Sequence, residues 1–301
     1  MKRLASILAA AALALSFQGC GSSEPAQVAA TTLPVYEFTS RICAGTEIGV
    51  SRLVTESVSC LHDYTLNVSQ VKAVEGADLV VISGAGLEEF MEDILTDKPA
   101  IDASQGIPLL EPEEHHHHNH DEDTEHEEES HEGHHHEEDP HIWLSPKNAM
   151  VMAQNICNGL SAQYPQHQEA FSANLETLLD DLEVLDTCGE DLLSDLSCRD
   201  LITFHDGFAY LADRYDLHIL RAVEEESGRE ASASELIELI EEVEHHQLPA
   251  IFTEANGSVS AAGIIARETQ IQSYPLDMVM GGDSYFDAMY HNIHILKEAL
   301  E

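Results

Sequence analysis

The chain has 301 residues, 43% of them hydrophobic and 23% charged, with a formal net charge of −43. That balance excludes nucleic acid and anionic lipid headgroups as favoured partners and favours cations, while the length suffices for two modest domains or one large one. The six cysteines show no spacing that matches a zinc ribbon or a redox CxxC pair, so a thiolate metal framework is excluded as well.

The chain opens with MKRLASILAAAALALSFQGCGSS: two basic residues, an apolar run from Leu4 to Leu15, then small residues around a cysteine. Residues 1–19 read as a signal peptide, since the apolar run is too short to span a bilayer comfortably. Gly19-Cys20-Gly21 resembles a bacterial lipoprotein processing site, with Cys20 as the lipidated first residue and residues 20–30 as a tether. The mature protein is therefore expected outside the cytoplasm, anchored to a membrane by its lipid, or periplasmic if cleaved without one. Disulfides persist in such a compartment. Cys188 and Cys198 are close enough in sequence to bridge a short loop, and Cys43 with Cys60 is a second possibility.

From Gln27 the chain alternates strand-like and helix-like pieces: VAATTLPVYEFTSRICAG, IGVSRLVTES, then a polar helix leading into GADLVVISGAGLEEFMEDIL. This rhythm predicts a parallel α/β sheet. ADLVVISG is a continuous apolar run, as expected of a strand buried on both faces, and KPAIDAS reads as a further strand. Residues 31–145 thus form a first α/β lobe.

Inside that lobe, residues 111–139 contain ten His and fourteen acidic residues. No core can form from such a segment. Its imidazoles at His115, His116, His117, His118, His120, His126, His131, His134, His135 and His136 offer many loosely organised sites for a borderline metal such as zinc. A solvated charged loop without a specific role is the plainer alternative.

Residues 146–190 read as helices. The first starts after Ser145-Pro146, with Met150, Val151, Ile156 and Leu160 as its apolar positions. A second and longer one follows Tyr164-Pro165, and its stripe of Phe171, Leu175, Leu178, Leu179, Leu182 and Leu185 holds helical spacing over more than four turns. Such a helix can join two halves of a molecule; a coiled-coil contact is the alternative. Residues 191–301 repeat the α/β rhythm through LITFH, HILRAV, SELIELIEEVEHHQ, LPAIFTEA, SAAGIIARET, IQSYPLDM and a closing helix from Ser284 to Leu300. Two lobes joined by a helix leave a cleft fed by loops at the strands' C-terminal ends.

Three His outside the tract stand where a strand or loop gives way to a helix: His62, His141 and His205. Loops of this kind commonly present ligands. Asp63 and Asp206 are adjacent acceptors that could fix an imidazole's tautomer. A carboxylate is wanted to close a tetrahedron, and Asp277 in SYPLDMVMGG is the candidate, with capping of the following turn as its alternative role. Glu254 in FTEANGS is more readily a residue that orients a ligand. His245 and His246 at a helix end, and His291 and His294 on the last helix, read as surface residues.

In this order, TTLPVYEFTSRI, HDYTLNVSQVKAVEGADLVVISGAGLEEF, DPHIWLSP after a His-rich loop, TFHDGFAYLADRY, AVEEESGREASASEL, FTEANGSVSAAGIIARE and DSYFDAMYHNI resemble the zinc- and manganese-binding solute receptors of bacterial ABC importers. The resemblance covers essentially the whole mature chain. It implies two α/β lobes with parallel-rich sheets, one long rigid linking helix and a metal in the cleft, held by His62, His141, His205 and Asp277. It also implies a monomeric receptor that performs no chemistry and delivers Zn²⁺ to a membrane permease and its ATPase. Manganese-type members carry Glu where this chain has His205; imidazole suits zinc, whereas Mn²⁺ prefers oxygen ligands. The alternatives are a zinc-buffering or adhesin-type lipoprotein, a manganese receptor, and a zinc enzyme with three His and an open position for water.

Overall fold

The computed structural model describes residues 26–56, 58, 61, 64–110, 138–224, 231–255 and 260–301. The leader with Cys20, the tract imidazoles, Cys60, His62 and Asp63 lie outside the described residues.

Two four-stranded parallel sheets carry the fold. In the N-terminal lobe β1 (Val28–Ala30), β2 (Val50–Arg52), β3 (Leu79–Ile82) and β4 (Ala100–Asp102) are ordered β2-β1-β3-β4. In the C-terminal lobe β5 (Asp200–His205), β6 (His218–Glu224), β7 (Ala250–Glu254) and β8 (Gln272–Leu276) are ordered β6-β5-β7-β8. The winding is the same in both lobes. Each reverses direction beside its first strand, which places a crevice at the C-terminal ends of β1 and β3 in one lobe and of β5 and β7 in the other. β1 and β7 are buried along their whole length, as strands covered by helices on both faces must be.

Helix starts follow from local chemistry. α1 (Leu33–Ile42) has a proline in its first turn. α2 (Val68–Gly76) and α7 (Ala233–His246) are closed by capping boxes, Asn67 with Gln70 and Ser232 with Glu235. A short helix, α3 (Glu92–Leu95), precedes β4. In α4 (Pro146–Gln163) the Ser145 side chain caps the start, and the buried stripe is Ala149, Met152, Ala153, Ile156, Cys157 and Leu160. Val151, expected in that stripe, is instead 38% exposed, because the helical period puts positions 149, 153, 156 and 160 on the core face.

The linking helix is α5 (Gln168–Leu193), 26 residues and so roughly 39 Å long at 1.5 Å per residue. It buries Phe171, Leu175, Leu178, Leu182 and Leu185 while Leu179 is half-buried, and it packs along α4, α1 and α9 (Tyr285–Leu300). The remaining helices of the second lobe are α6 (Ala209–Arg214) and α8 (Ser260–Thr269). One core cluster runs through both lobes by way of α4 and α5.

Polar contacts pin the lobes together. Asp186 on α5, 1% exposed, receives two bonds of 2.6 Å from Arg214 of α6 and lies 2.8 Å from Lys147 Nζ of α4. Glu37 of α1 accepts the Tyr285 N–H at 2.6 Å, and Arg52 donates to the Gly282 carbonyl at 2.7 Å. The single tryptophan, Trp143, donates from Nε1 to the Met278 carbonyl at 2.9 Å and accepts at its own carbonyl from the Tyr285 hydroxyl at 2.8 Å.

The bridge considered between Cys188 and Cys198 is not formed: both are free thiols, as are Cys43 and Cys157. Cys188 faces an open groove on α5 with Val184 and Leu192. Cys198 lies beyond the turn into β5, where its Sγ contacts the Asp200 carbonyl at 3.7 Å and it packs against the second lobe's core. Among the described residues no helix is long and apolar enough to cross a membrane.

Candidate metal centre

The C-terminal end of β5 places His205 at the crevice of the second lobe, 4% exposed. β7 ends beside it with Glu254, whose Oε1 lies 2.9 Å from His205 Nδ1. The reversal of strand order next to β5 thus brings an imidazole and a carboxylate from two neighbouring strands to one point.

His141 comes from the segment of the first lobe that follows the tract. It is 3% exposed and starts a short 3-10 turn, Ile142–Leu144. Asp139 Oδ1 accepts the His141 main-chain N–H at 2.9 Å and lies 2.8 Å from Nδ1 of the ring. A carboxylate on Nδ1 puts the proton there and leaves the Nε2 lone pair as the donor to whatever approaches, the usual arrangement behind a metal-binding imidazole.

The two rings meet edge to face, with centroids 5.4 Å apart. Nε2 of His141 and both ring nitrogens of His205 are buried, and none of the three finds a hydrogen-bond partner among the described residues. Buried polar atoms are normally paired, so orphaned ring nitrogens on two neighbouring imidazoles mark a place built for an electrophile. Gly207 keeps that place open: a Cβ there would lie 2.6 Å from Met278 Cε, 2.8 Å from His205 Cδ2 and 3.0 Å from His141 Cε1.

Asp277 follows β8 and is half-buried. The buried Asn292 of α9 clamps its backbone, donating to its carbonyl at 2.7 Å and accepting its N–H at 2.8 Å. Its Oδ1 accepts the Val279 N–H at 2.6 Å, so the turn-capping role is realised for that oxygen. Asp206 is exposed, and the carboxylate beside the His205 ring is that of Glu254. Away from this centre His246 and His218 flank Asp200 at 3.7 and 3.3 Å on the lobe surface, while His291 and His294 are exposed. Among the described residues no three His, Cys, Asp or Glu side chains are already gathered around a common point; the structure brings His141 and His205 together, and His62 lies outside the residues described.

Sequence reasoning missed Asp139, Gly207 and Tyr210. Asp139 had a signal, an Asp two residues before a candidate His, which is the spacing of a side chain that turns back on the following main chain. Gly207 and Tyr210 follow His205 by two and five residues, but nothing local in the sequence marks their contacts with the first lobe, and they gave none.

Two lobes with parallel sheets, a helical spine and paired imidazoles where the lobes meet define a two-lobed α/β architecture with a site in its cleft. The family model for the periplasmic component A of the zinc-uptake complex, ZnuA, matches residues 28–299, and the chain belongs to that family. The zinc-binding lipoprotein AdcA of Streptococcus pneumoniae serotype 4 is 30% identical over 319 aligned positions, which take in 100% of this chain and 62% of AdcA. The zinc-binding protein AdcA of Streptococcus pyogenes serotype M3 is 31% identical, covering 90% of this chain and 55% of the relative. The chain therefore spans little more than half the length of these relatives. Among solved structures, a crystal structure of ZnuA superposes with a TM-score of 0.76 at 27% identity, covering 91% of this chain and 99% of the other. The Zn(II)-bound ZnuA-like domain of S. pneumoniae AdcA gives 0.74 at 27% identity, covering 91% and 98%.

Proposed function

We propose that this protein is an extracytoplasmic receptor that captures Zn²⁺ between its lobes and hands it to an ABC-type permease driven by an ATPase, and that it is not an enzyme. The observation that carries this reading is the pair of buried, unpartnered Nε2 atoms of His141 and His205, with Asp139 hydrogen-bonded to Nδ1 of the first and the Glu254 carboxylate 2.9 Å from Nδ1 of the second. Zn²⁺ accepts nitrogen and oxygen donors in a tetrahedron. His62 supplies the third imidazole and Asp277 the fourth position. Three neutral imidazoles and one carboxylate leave the loaded site with a charge of about +1. Zinc rather than manganese is favoured because His205 occupies the position at which an oxygen donor would suit Mn²⁺ better. The family and the zinc-bound neighbour support the same metal.

The tract acts as a weak collector that raises zinc near the cleft, an effect of local concentration rather than of affinity. A lipid on Cys20 keeps the receptor at the membrane, and the acidic surface attracts cations without binding them tightly. Titration calorimetry with Zn²⁺ and Mn²⁺ tests the reading on the full chain, a chain lacking residues 113–138 of the tract, and His205→Ala. Expected are one tight zinc site in the first two, extra weak sites in the full chain alone, weak manganese binding, and loss of the tight site in His205→Ala. The loaded form should then stimulate ATP hydrolysis by the permease. Tight binding that disappears with the tract and ignores His205 would place the receptor site elsewhere and overturn the proposal.

A further inference from the structure

Tyr210 lies in the first turn of α6, five residues after His205 at the end of β5, and is 3% exposed. Its hydroxyl oxygen accepts the Leu110 N–H at 3.0 Å and donates its proton to the Asp139 carbonyl, also at 3.0 Å. Leu110 immediately precedes the tract and Asp139 is its last residue, and they are bonded to each other, Asp139 N–H to Leu110 carbonyl, at 3.2 Å. One phenol of the second lobe therefore closes a three-membered hydrogen-bond ring with two points of the first lobe. The next link is Asp139 itself, whose Oδ1 takes both the main-chain N–H and the Nδ1 of His141.

We infer that Tyr210 is a positioning residue for the metal centre: its hydroxyl holds the Asp139–His141 segment of one lobe in register with His205 of the other. The inference deepens the zinc-receptor reading and rests on it. Three physical arguments support it. A hydroxyl used both as donor and as acceptor fixes its two partners relative to each other, which an apolar contact cannot do. Burial pushes the Tyr210 phenol up to about 12, so it keeps the proton it donates at any pH the protein meets. The Asp139 carbonyl and carboxylate belong to one residue, so a displacement of its main chain is passed directly to the ring of His141.

A control lies at the other end of the same helix. Tyr215 is 5% exposed, and its hydroxyl has no hydrogen-bond partner among the described residues. Tyr210→Phe and Tyr215→Phe each delete one buried hydroxyl at the same helix, but only the first breaks the chain that leads to His141.

The experiment uses the full chain with Co²⁺ and Zn²⁺ as probes. Visible absorption of the Co²⁺-loaded protein reports ligand geometry, chelator competition gives the zinc affinity, and thermal unfolding without metal reports the fold. His205→Ala identifies which transition belongs to the cleft. For Tyr210→Phe, an altered Co²⁺ spectrum and zinc affinity weakened about tenfold, the lower end of what loss of a ligand-orienting partner costs, are expected, with Tyr215→Phe unchanged in both. A Tyr210→Phe protein that loses only thermal stability, or loses nothing, while spectrum and affinity match the parent would overturn the inference. Loss of affinity in both Tyr variants would also overturn it, because it would trace to packing. If His205→Ala leaves the tight site intact, the receptor reading itself has failed, and that result is separate from the comparison of the two tyrosines.

Discussion

The proposed metal centre depends on the residues behind its two imidazoles. Asp139 sets the tautomer of His141 through a hydrogen bond to Nδ1, whereas Glu254 lies 2.9 Å from His205 Nδ1 as an ionic neighbour without a hydrogen bond to it. Asp139→Ala removes the acceptor on Nδ1 and leaves the ring free to rotate or to change tautomer, so zinc affinity should fall about 10- to 100-fold with the fold kept. Chelator competition measures this, and an affinity within a factor of two of the parent would contradict it. His141 and His205 were legible in the sequence because a strand or loop turns into a helix at each. Asp139 was legible only in part, and Tyr210 not at all, since its partners lie 100 and 71 positions away in the chain. Contacts at that separation are created by the meeting of the lobes and leave no local pattern.

At the scale of elements, α5 is the spine, and Asp186 is where it is fastened to the second lobe. Burial alone would raise that carboxyl, but Arg214 and Lys147 outweigh burial and hold it below the ordinary aspartate value. Because the folded-state value lies below the unfolded one, the stabilisation is complete above about pH 4–5 and disappears as pH falls through the folded value. Asp186→Asn leaves Arg214 with a buried, half-paired charge and should lose about 3–5 kcal/mol at pH 7, with the gap between variant and parent narrowing below pH 4. Urea unfolding at pH 7 and pH 3 measures both, and an equal loss at the two pH values would refute the ion-pair account. The long helix itself was readable from its leucine stripe, whereas the face of α4 was misread at Val151. In α4 small residues, Ala149 and Ala153, carry the core face, and a search for large apolar side chains passes over them.

On the scale of the whole molecule, the winding of the first lobe is repeated in the second, and the two crevices are used differently. In the second, β5 and β7 deliver His205 and Glu254. In the first, the equivalent point beyond β1 and β3 is filled by Glu88, which accepts the Thr31 hydroxyl at 2.6 Å and the Ser83 and Gly84 N–H groups at 2.8 and 3.0 Å. Burial pushes that carboxyl up to about 7 in spite of these donors. The first lobe therefore fills its own crevice, and its proposed metal ligand, His141, comes from the segment beyond the tract instead. The doubled α/β rhythm made the architecture legible, but the way the lobes face each other was not, because it depends on the bonds of Trp143, Tyr285, Glu37 and Arg52 across the boundary. These same bonds argue for a small tilt on loading rather than a wide hinge.

The most direct test of the account is diffraction at the zinc absorption edge from crystals of the full chain given one equivalent of Zn²⁺. A single strong anomalous peak within bonding distance of Nε2 of both His141 and His205, and of His62, is the predicted result. A peak confined to the tract or the surface, with the two imidazoles empty, would contradict the account.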